Sequence, residues 1–192
     1  MDKELLTTFI QNHIPASRET LLKIAAQFEE KDFSKNDYFL KEGKISNYLF
    51  LAEGFMRAFT FDTNGNEVTT YFYQKNRVVF EASSFFMRTI STENIQAVTD
   101  CKGYFTNFEK LNILFHSTPE FREFGRLMLV KEFAAYKQRT LAMINKSAEE
   151  RYADLINSNK EIFQYAQLKH IASYLGMTDT SLSRIRKEFS KK

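Results

Sequence analysis

Between about Phe39 and Thr106 the chain is a succession of short aromatic and β-branched runs divided by turn residues, which leaves few ways to fold. The runs at 48–54, 55–61 and 68–73 read as strands. They are parted by Glu53-Gly54 and by Asp62-Thr-Asn-Gly-Asn66, a strong hairpin signal. Further strands are predicted at 78–80, 95–99 and 103–106, and no fixed-period repeat is evident. Many short strands in succession close as a sandwich or barrel.

Helical patterns flank this block. Residues up to about 30 are predicted helical, with Leu21, Leu22, Ile24, Ala25 and Phe28 forming a stripe behind a start at Ser17-Arg18-Glu19-Thr20. A long helix is predicted from Ser117-Thr118-Pro119-Glu120, with a hydroxyl cap and proline in the first turn, to about Asn145. At 1.5 Å per residue it is ~39 Å long. Leu127, Val130, Ala134, Leu141 and Ile144 fall at three- and four-residue steps, interrupted at Lys137, while Phe121, Phe124, Met128 and Phe133 form a second apolar side. A helix apolar on two sides covers two surfaces, here its own barrel and a twin helix of a second copy. The alternative is a core helix within one chain. Ser147-Ala-Glu-Glu150 has the pattern of a capping box opening a helix with Tyr152, Leu155 and Ile156, so a boundary is placed near Asn145.

A chain of 192 residues with 43% hydrophobic and 27% charged residues buries a real core and has room for one domain and a smaller one. Its apolar runs are too short to span a bilayer, so no membrane association is expected. Met1-Asp2-Lys3-Glu4 does not open a signal peptide, and a single cysteine, Cys101, excludes a disulfide framework or cysteine-rich metal site. A cytoplasmic protein is expected, with Cys101 an inert thiol. His13, His116 and His170 lack metal-ligand spacing, so no metal is expected, and His170 is expected to face backbone or phosphate. Neither a phosphate-cradling glycine loop nor a nucleophile elbow is present, so no cofactor and no enzyme activity are expected.

The charge is uneven. From residue 165 onward six cations face two anions, whereas the rest of the chain holds 21 against 22. A basic end on a near-neutral body suits a polyanion partner. Within it, Leu168, Ile171, Ala172 and Leu175 predict a short amphipathic helix stopped by Gly176, and Thr178 caps a second helix with Leu182, Ile185 and Phe189 inward. A small residue, a glycine and an apolar plug at this spacing read as a helix-turn-helix. The opposite face carries Thr180, Ser183, Arg184 and Lys187, hydrogen-bonding or cationic residues as a major-groove helix requires. The alternatives are an ordinary helical hairpin with a solvated outer face, and a ligand-binding or protein-interaction module whose helical end docks a protein instead of DNA.

With these residues in hand the whole chain resembles the cyclic-AMP-receptor and fumarate–nitrate-regulator (Crp/Fnr) family of bacterial transcription regulators. The resemblance is carried by Phe39-Leu-Lys-Glu-Gly43, Tyr48-Leu-Phe-Leu-Ala-Glu-Gly54, and Ala172-Ser-Tyr-Leu-Gly176 through Ser183-Arg184-Ile185. It implies an α+β chain: a cyclic-nucleotide-binding-type β-roll sensor over 1–116, a dimerisation helix over 117–145 and a DNA-binding helix-turn-helix over 146–192. The implied partners are a second copy of the chain, double-stranded DNA with a pseudo-palindromic operator, RNA polymerase and an unidentified small-molecule effector. Asp179, Thr180 and Arg184 then reach base edges, and Thr178, Ser181 and Lys187 contact phosphate. Asp179 stands where a cation is common, so no familiar target sequence carries over. The wing that follows the second helix in many relatives is expected to be absent, with Lys191 and Lys192 partly substituting.

The family's nucleotide cassette departs as well. Matched to it, Phe80 stands at the glycine, Glu81 at the ribose-binding glutamate, Ser91 at the phosphate-binding arginine and Thr92 at the serine. Arg88 lies three residues before Ser91 and replaces the arginine only if the loop shifts; otherwise it is a surface residue. Tight binding of cyclic AMP or cyclic GMP is therefore not expected. Tyr71, Tyr73, Phe80, Glu81, Arg88, Ser91 and Thr92 are the effector-pocket candidates, with Phe72, Phe85 and Phe86 beside them, unless these aromatic residues fill the β-roll interior.

Overall fold

The computed structural model describes residues 3–190, so Lys191 and Lys192 lie outside the described residues. In chain order the elements are helices α1 (Glu4–Gln11) and α2 (Arg18–Ala25), then strands β1 (Glu29–Phe33), β2 (Tyr38–Leu40), β3 (Tyr48–Glu53), β4 (Phe55–Phe61), β5 (Glu67–Gln74) and β6 (Arg77–Val79). Helix α3 (Ala82–Met87), strands β7 (Asn94–Ala97) and β8 (Cys101–Thr106), and helices α4 (Phe108–Ser117) and α5 (Pro119–Asn145) follow. The chain closes with α6 (Ala148–Ser158), α7 (Ile162–Tyr165), α8 (Leu168–Tyr174) and α9 (Asp179–Phe189).

The strands make two antiparallel four-stranded sheets, ordered β1-β8-β3-β6 and β2-β7-β4-β5, which face each other as a β-roll. Strand β3 is buried on both faces. Leu49 and Leu51 point between the sheets toward Met56, Ala58 and Ile95, while Tyr48, Phe50 and Ala52 point to a second core built with α1, α2, α4 and the start of α5. That double burial explains its unbroken apolar run. The β4–β5 hairpin turns where expected: the Asp62 carboxylate accepts the backbone N–H groups of Asn64 and Asn66 at 2.8 and 2.9 Å, and Gly65 takes φ +80°. Gly54 is required between β3 and β4, because a Cβ there would lie 2.5 Å from the Asp100 carbonyl oxygen.

Several expectations are corrected. The N-terminal region is two helices, not one stripe: Leu22 is exposed, and Phe28 lies beyond α2, buried in the core. Strand β1, with sequence EEKDF, was not predicted, because four of its five side chains are exposed at a sheet edge and show no apolar period. Helices α3 and α4 also lacked a prediction, though Asn107 caps α4 by accepting the Lys110 N–H. Thr118 does not cap α5 with its hydroxyl; it is buried, and its N–H instead closes α4 on the Leu114 carbonyl at 2.9 Å.

Helix α5 divides lengthwise. Its first turns bury Phe121, Phe124 and Gly125 in the core, and a Cβ on Gly125 would sit 2.3 Å from the Phe115 ring of α4. Beyond Met128 the helix leaves the core. Leu127 is half-buried, whereas Val130, Ala134, Leu141 and Ile144 are exposed. Phe133, expected on the covered side, is 72% exposed and joins the open face. The capping box at Ser147 and Glu150 is formed in both directions. Helices α6 to α9 then build a third core around Tyr152, Leu155, Ile171, Leu182 and Ile185, which also takes in Phe55 and Phe72 from the β-roll. No helix among the described residues is long and apolar enough to cross a membrane.

Candidate functional site

The α8–α9 pair is set by local chemistry. Helix α8 ends when Gly176 enters the left-handed region at φ +64°. The Met177 N–H reaches back to the Ala172 carbonyl at 3.0 Å and the Gly176 N–H to Ser173 at 3.1 Å, the two bonds of a Schellman termination. Two residues on, the Thr178 side chain accepts the Ser181 N–H at 3.2 Å and starts α9. Leu182 and Ile185 are buried against Ile171 and Ala172.

That plug fixes the outer face. Asp179, Thr180, Ser183, Arg184 and Lys187 are all exposed. Among the described residues Arg184 and Lys187 form no ion pair, so both charges are available to an anion. Thr178 and Ser181 differ, because their hydroxyls bond to each other at 3.0 Å within the cap. Asp179 lies in the first turn of α9, where a carboxylate complements the helix dipole and lowers the positive potential.

Helix α8 packs on β5 through a buried polar contact that the sequence reading missed. Ser173 Oγ accepts the Thr69 N–H at 3.1 Å. Arg57 of β4 is only 2% exposed; its guanidinium lies 2.5 Å from Glu67, donates to Thr69 Oγ1 at 3.3 Å and stacks 4.1 Å over Phe59. His170 Nε2 lies 3.7 Å from the same Glu67 carboxylate. Expected to face backbone or phosphate, His170 instead faces the Glu67 side chain of the sheet. Burial, reinforced by the Arg57 and Lys169 charges, pushes its pKa down to about 4, so it is neutral near pH 7. The missed signal was Arg57 itself, a cation sharing one strand face with Phe55 and Phe59 at period two.

The effector candidates meet only in part. Tyr71 and Tyr73 have ring centroids 4.8 Å apart, and Tyr73 donates to the Phe80 carbonyl at 3.2 Å. Glu81 instead caps α3, accepting the Ser83 and Ser84 N–H groups at 2.9 and 2.6 Å, which commits the carboxylate expected to hold a ribose. Ser91 is buried and bonded to the Glu93 backbone, Thr92 is exposed, and Arg88 lies exposed with its guanidinium 4.4 Å over Phe108. Phe85 fills the core while Phe86 stands partly exposed. Glu93, two residues beyond Ser91, is half-buried, and burial raises its pKa.

The chain is built as a β-roll, a long helix and a helical end, and the comparisons agree on that fold. Residues 30–118 match the family model of the cyclic nucleotide-binding domain. The fold of the chain is that of Crp/Fnr-type regulators. A CooA mutant from Carboxydothermus hydrogenoformans is similar at 16% identity and TM-score 0.71, covering 100% of this chain and 86% of its own. FixK2 from Bradyrhizobium japonicum is similar at 16% identity and TM-score 0.73, covering 85% of each chain. A transcriptional regulator of the Crp/Fnr family from Eubacterium rectale is similar at 16% identity and TM-score 0.71, covering 93% of this chain and 88% of its own. No curated protein sequence matches the chain significantly.

Proposed function

We propose that the chain is a homodimeric, sequence-specific DNA-binding transcription regulator of the cytoplasm, without enzyme activity and without tight affinity for cyclic AMP. In this reading residues 1–116 are the sensor, 117–145 the dimerisation helix and 146–192 a DNA-binding helix-turn-helix. The observation that carries it is the exposed, unpaired face of Thr180, Ser183, Arg184 and Lys187, held rigid by the Leu182–Ile185 plug behind a Schellman turn. Arg184 is assigned to a base edge and Lys187 to phosphate. Asp179 modulates base choice, and Thr178 and Ser181 act through the helix cap and its N–H groups. RNA polymerase belongs to the same reading as a protein partner.

The dimer rests on the open face of α5, where Val130, Ala134, Leu141 and Ile144 lie exposed at heptad-like steps with Phe133 beside them. Two helices related by a two-fold axis there present two α9 helices to one side of a duplex. Selection of bound sites from random duplex DNA tests the reading. The expected product is a pseudo-palindrome with half-site centres about 10 base pairs apart. Recovery of no enriched site, with α9 instead retaining a protein, overturns it in favour of a protein-docking module. Titration calorimetry with cyclic AMP is expected to show no sub-micromolar binding, since Ser91 offers no charge and Glu81 is committed to its cap.

A further inference from the structure

A cavity of about 630 Å³ opens where β5, the second half of α5 and helices α6 to α8 converge. Of the pocket residues read from the sequence, Tyr71 lines it, together with Phe72 from the accompanying aromatic set. Its volume lies within the range of small-molecule sites, and its lining has their mixed character. Tyr71, Phe72, Tyr136 and Tyr174 supply aromatic surface, with Leu155 and Ile162 beside them.

The charges are lopsided. Arg77, Arg139, Lys146 and Arg151 line the cavity against one carboxylate, Asp154. Lys146 is paired with Asp154 at 2.6 Å, and Arg77 lies 3.7 Å from Glu132. The other two guanidiniums form no ion pair among the described residues, although the Glu93 carboxylate acts on Arg139 at longer range. Arg139 donates to the Tyr174 carbonyl at 3.0 Å, and Arg151 donates to the Leu175 carbonyl at 2.9 Å and to the Lys146 backbone carbonyl at 2.6 Å. The first two carbonyls belong to consecutive residues at the end of α8, so both guanidiniums converge on one spot. Carbonyl oxygens satisfy their donors without neutralising two positive charges, and each guanidinium retains further N–H groups.

We infer that this cavity binds a small amphipathic monoanion, an aromatic or branched carboxylate, with its charge at Arg139 and Arg151 and its apolar body against Tyr71, Tyr136 and Tyr174. A fork of guanidinium donors suits a carboxylate better than a neutral amide of the same shape. The site lies apart from the α9 face and stands independently of whether that face binds DNA. Its outer lip includes Leu141, which also belongs to the proposed dimer seam.

Naphthylacetate and its neutral analogue naphthylacetamide serve as probes, titrated into the full chain by fluorescence and calorimetry. The expected result is saturable binding of one naphthylacetate per chain, with the amide at least ~10-fold weaker, as loss of a charge-assisted pair requires. Arg139→Gln is expected to weaken the acid and leave the amide nearly unchanged. Because Arg139 also holds the end of α8, Ala142→Trp is the second variant. It fills the cavity without removing a charge or a hydrogen bond, and is expected to abolish binding of both probes while the circular dichroism spectrum is unchanged. Equal affinity for acid and amide, undiminished binding by folded Ala142→Trp, or no saturable binding at all overturns the proposal. Binding seen only in a monomeric Phe133→Glu variant also overturns it, because the seam then covers the cavity in the dimer.

Discussion

His170 shows what a single buried side chain does at the junction of β-roll and helical end. It is neutral near pH 7 because burial and the Arg57 charge oppose protonation more than Glu67 favours it. Its pKa lies below the ordinary 6.5, so its contribution to stability is fully present above about pH 6.5 and is lost as pH falls through about 4. The loss is about 1–3 kcal/mol, allowing for screening at the partly exposed Glu67. Denaturant unfolding of wild type and His170→Gln between pH 4 and 8 is expected to show a stability difference that shrinks on acidification; parallel profiles would remove His170 from the contact. On α9, Arg184→Ala is expected to cost about 1–3 kcal/mol at the best DNA site and relax preference at one position per half-site. Lys187→Ala is expected instead to weaken all sequences alike and flatten the salt dependence. Equal losses for Arg184→Ala on selected and random duplexes would make it a backbone contact. The α9 residues were legible because Leu182 and Ile185 fix which way the helix turns. Arg57, Glu67 and His170 were not, because a contact across more than a hundred residues leaves only the oddity of an arginine on an apolar strand face.

Among the elements, α5 divides the work most clearly. Its first turns are anchored by Phe121, Phe124 and the Gly125–Phe115 approach, and its later turns expose Val130, Phe133, Leu141 and Ile144. Burying one such side chain contributes about 1.5–3 kcal/mol, so a charge in the proposed seam is expected to act strongly on both copies at once. Phe133→Glu is expected to give monomers by light scattering with an unchanged far-ultraviolet circular dichroism spectrum. Dimers that survive it move the interface off this face. Leu127, half-buried, is a poorer test because its replacement also disturbs the core. The helix was legible from its capping residues and length, but the sorting of its two sides was not. Phe133 and Leu127 change places because the core shared with α1, α2 and α4 ends beneath about Met128, and beyond it Tyr71 and Arg77 of the β-roll reach α5 at Glu132, a tertiary fact. Strand β1 and helix α4 were missed for opposite reasons: the first has no apolar period at an exposed edge, and the second follows directly on a strand.

Across the whole molecule, the end of α8 ties the parts together. Its Ser173 meets Thr69 of β5, its last carbonyls hold Arg139 of α5 and Arg151 of α6, and its turn places α9. Helices α5 and α6 and the sheet are therefore joined through named hydrogen bonds to the element that leads into α9. The β-roll, the long helix and the helical end could be read from strand spacing and the family resemblance, though not β1, α3 and α4. The cavity could not, because residues near 71–77, 135–146, 151–162 and 174–175 meet only in the folded chain. The central claim is that the exposed face of α9 binds duplex DNA specifically. The most direct measurement is the equilibrium affinity of the full chain for a selected pseudo-palindromic duplex and for a random duplex, each followed across salt concentration. The account predicts at least ~10³-fold preference for the selected duplex and a logarithmic affinity that falls linearly with the logarithm of salt on both. Equal affinity for the two duplexes, or no salt-dependent binding to either, would contradict it.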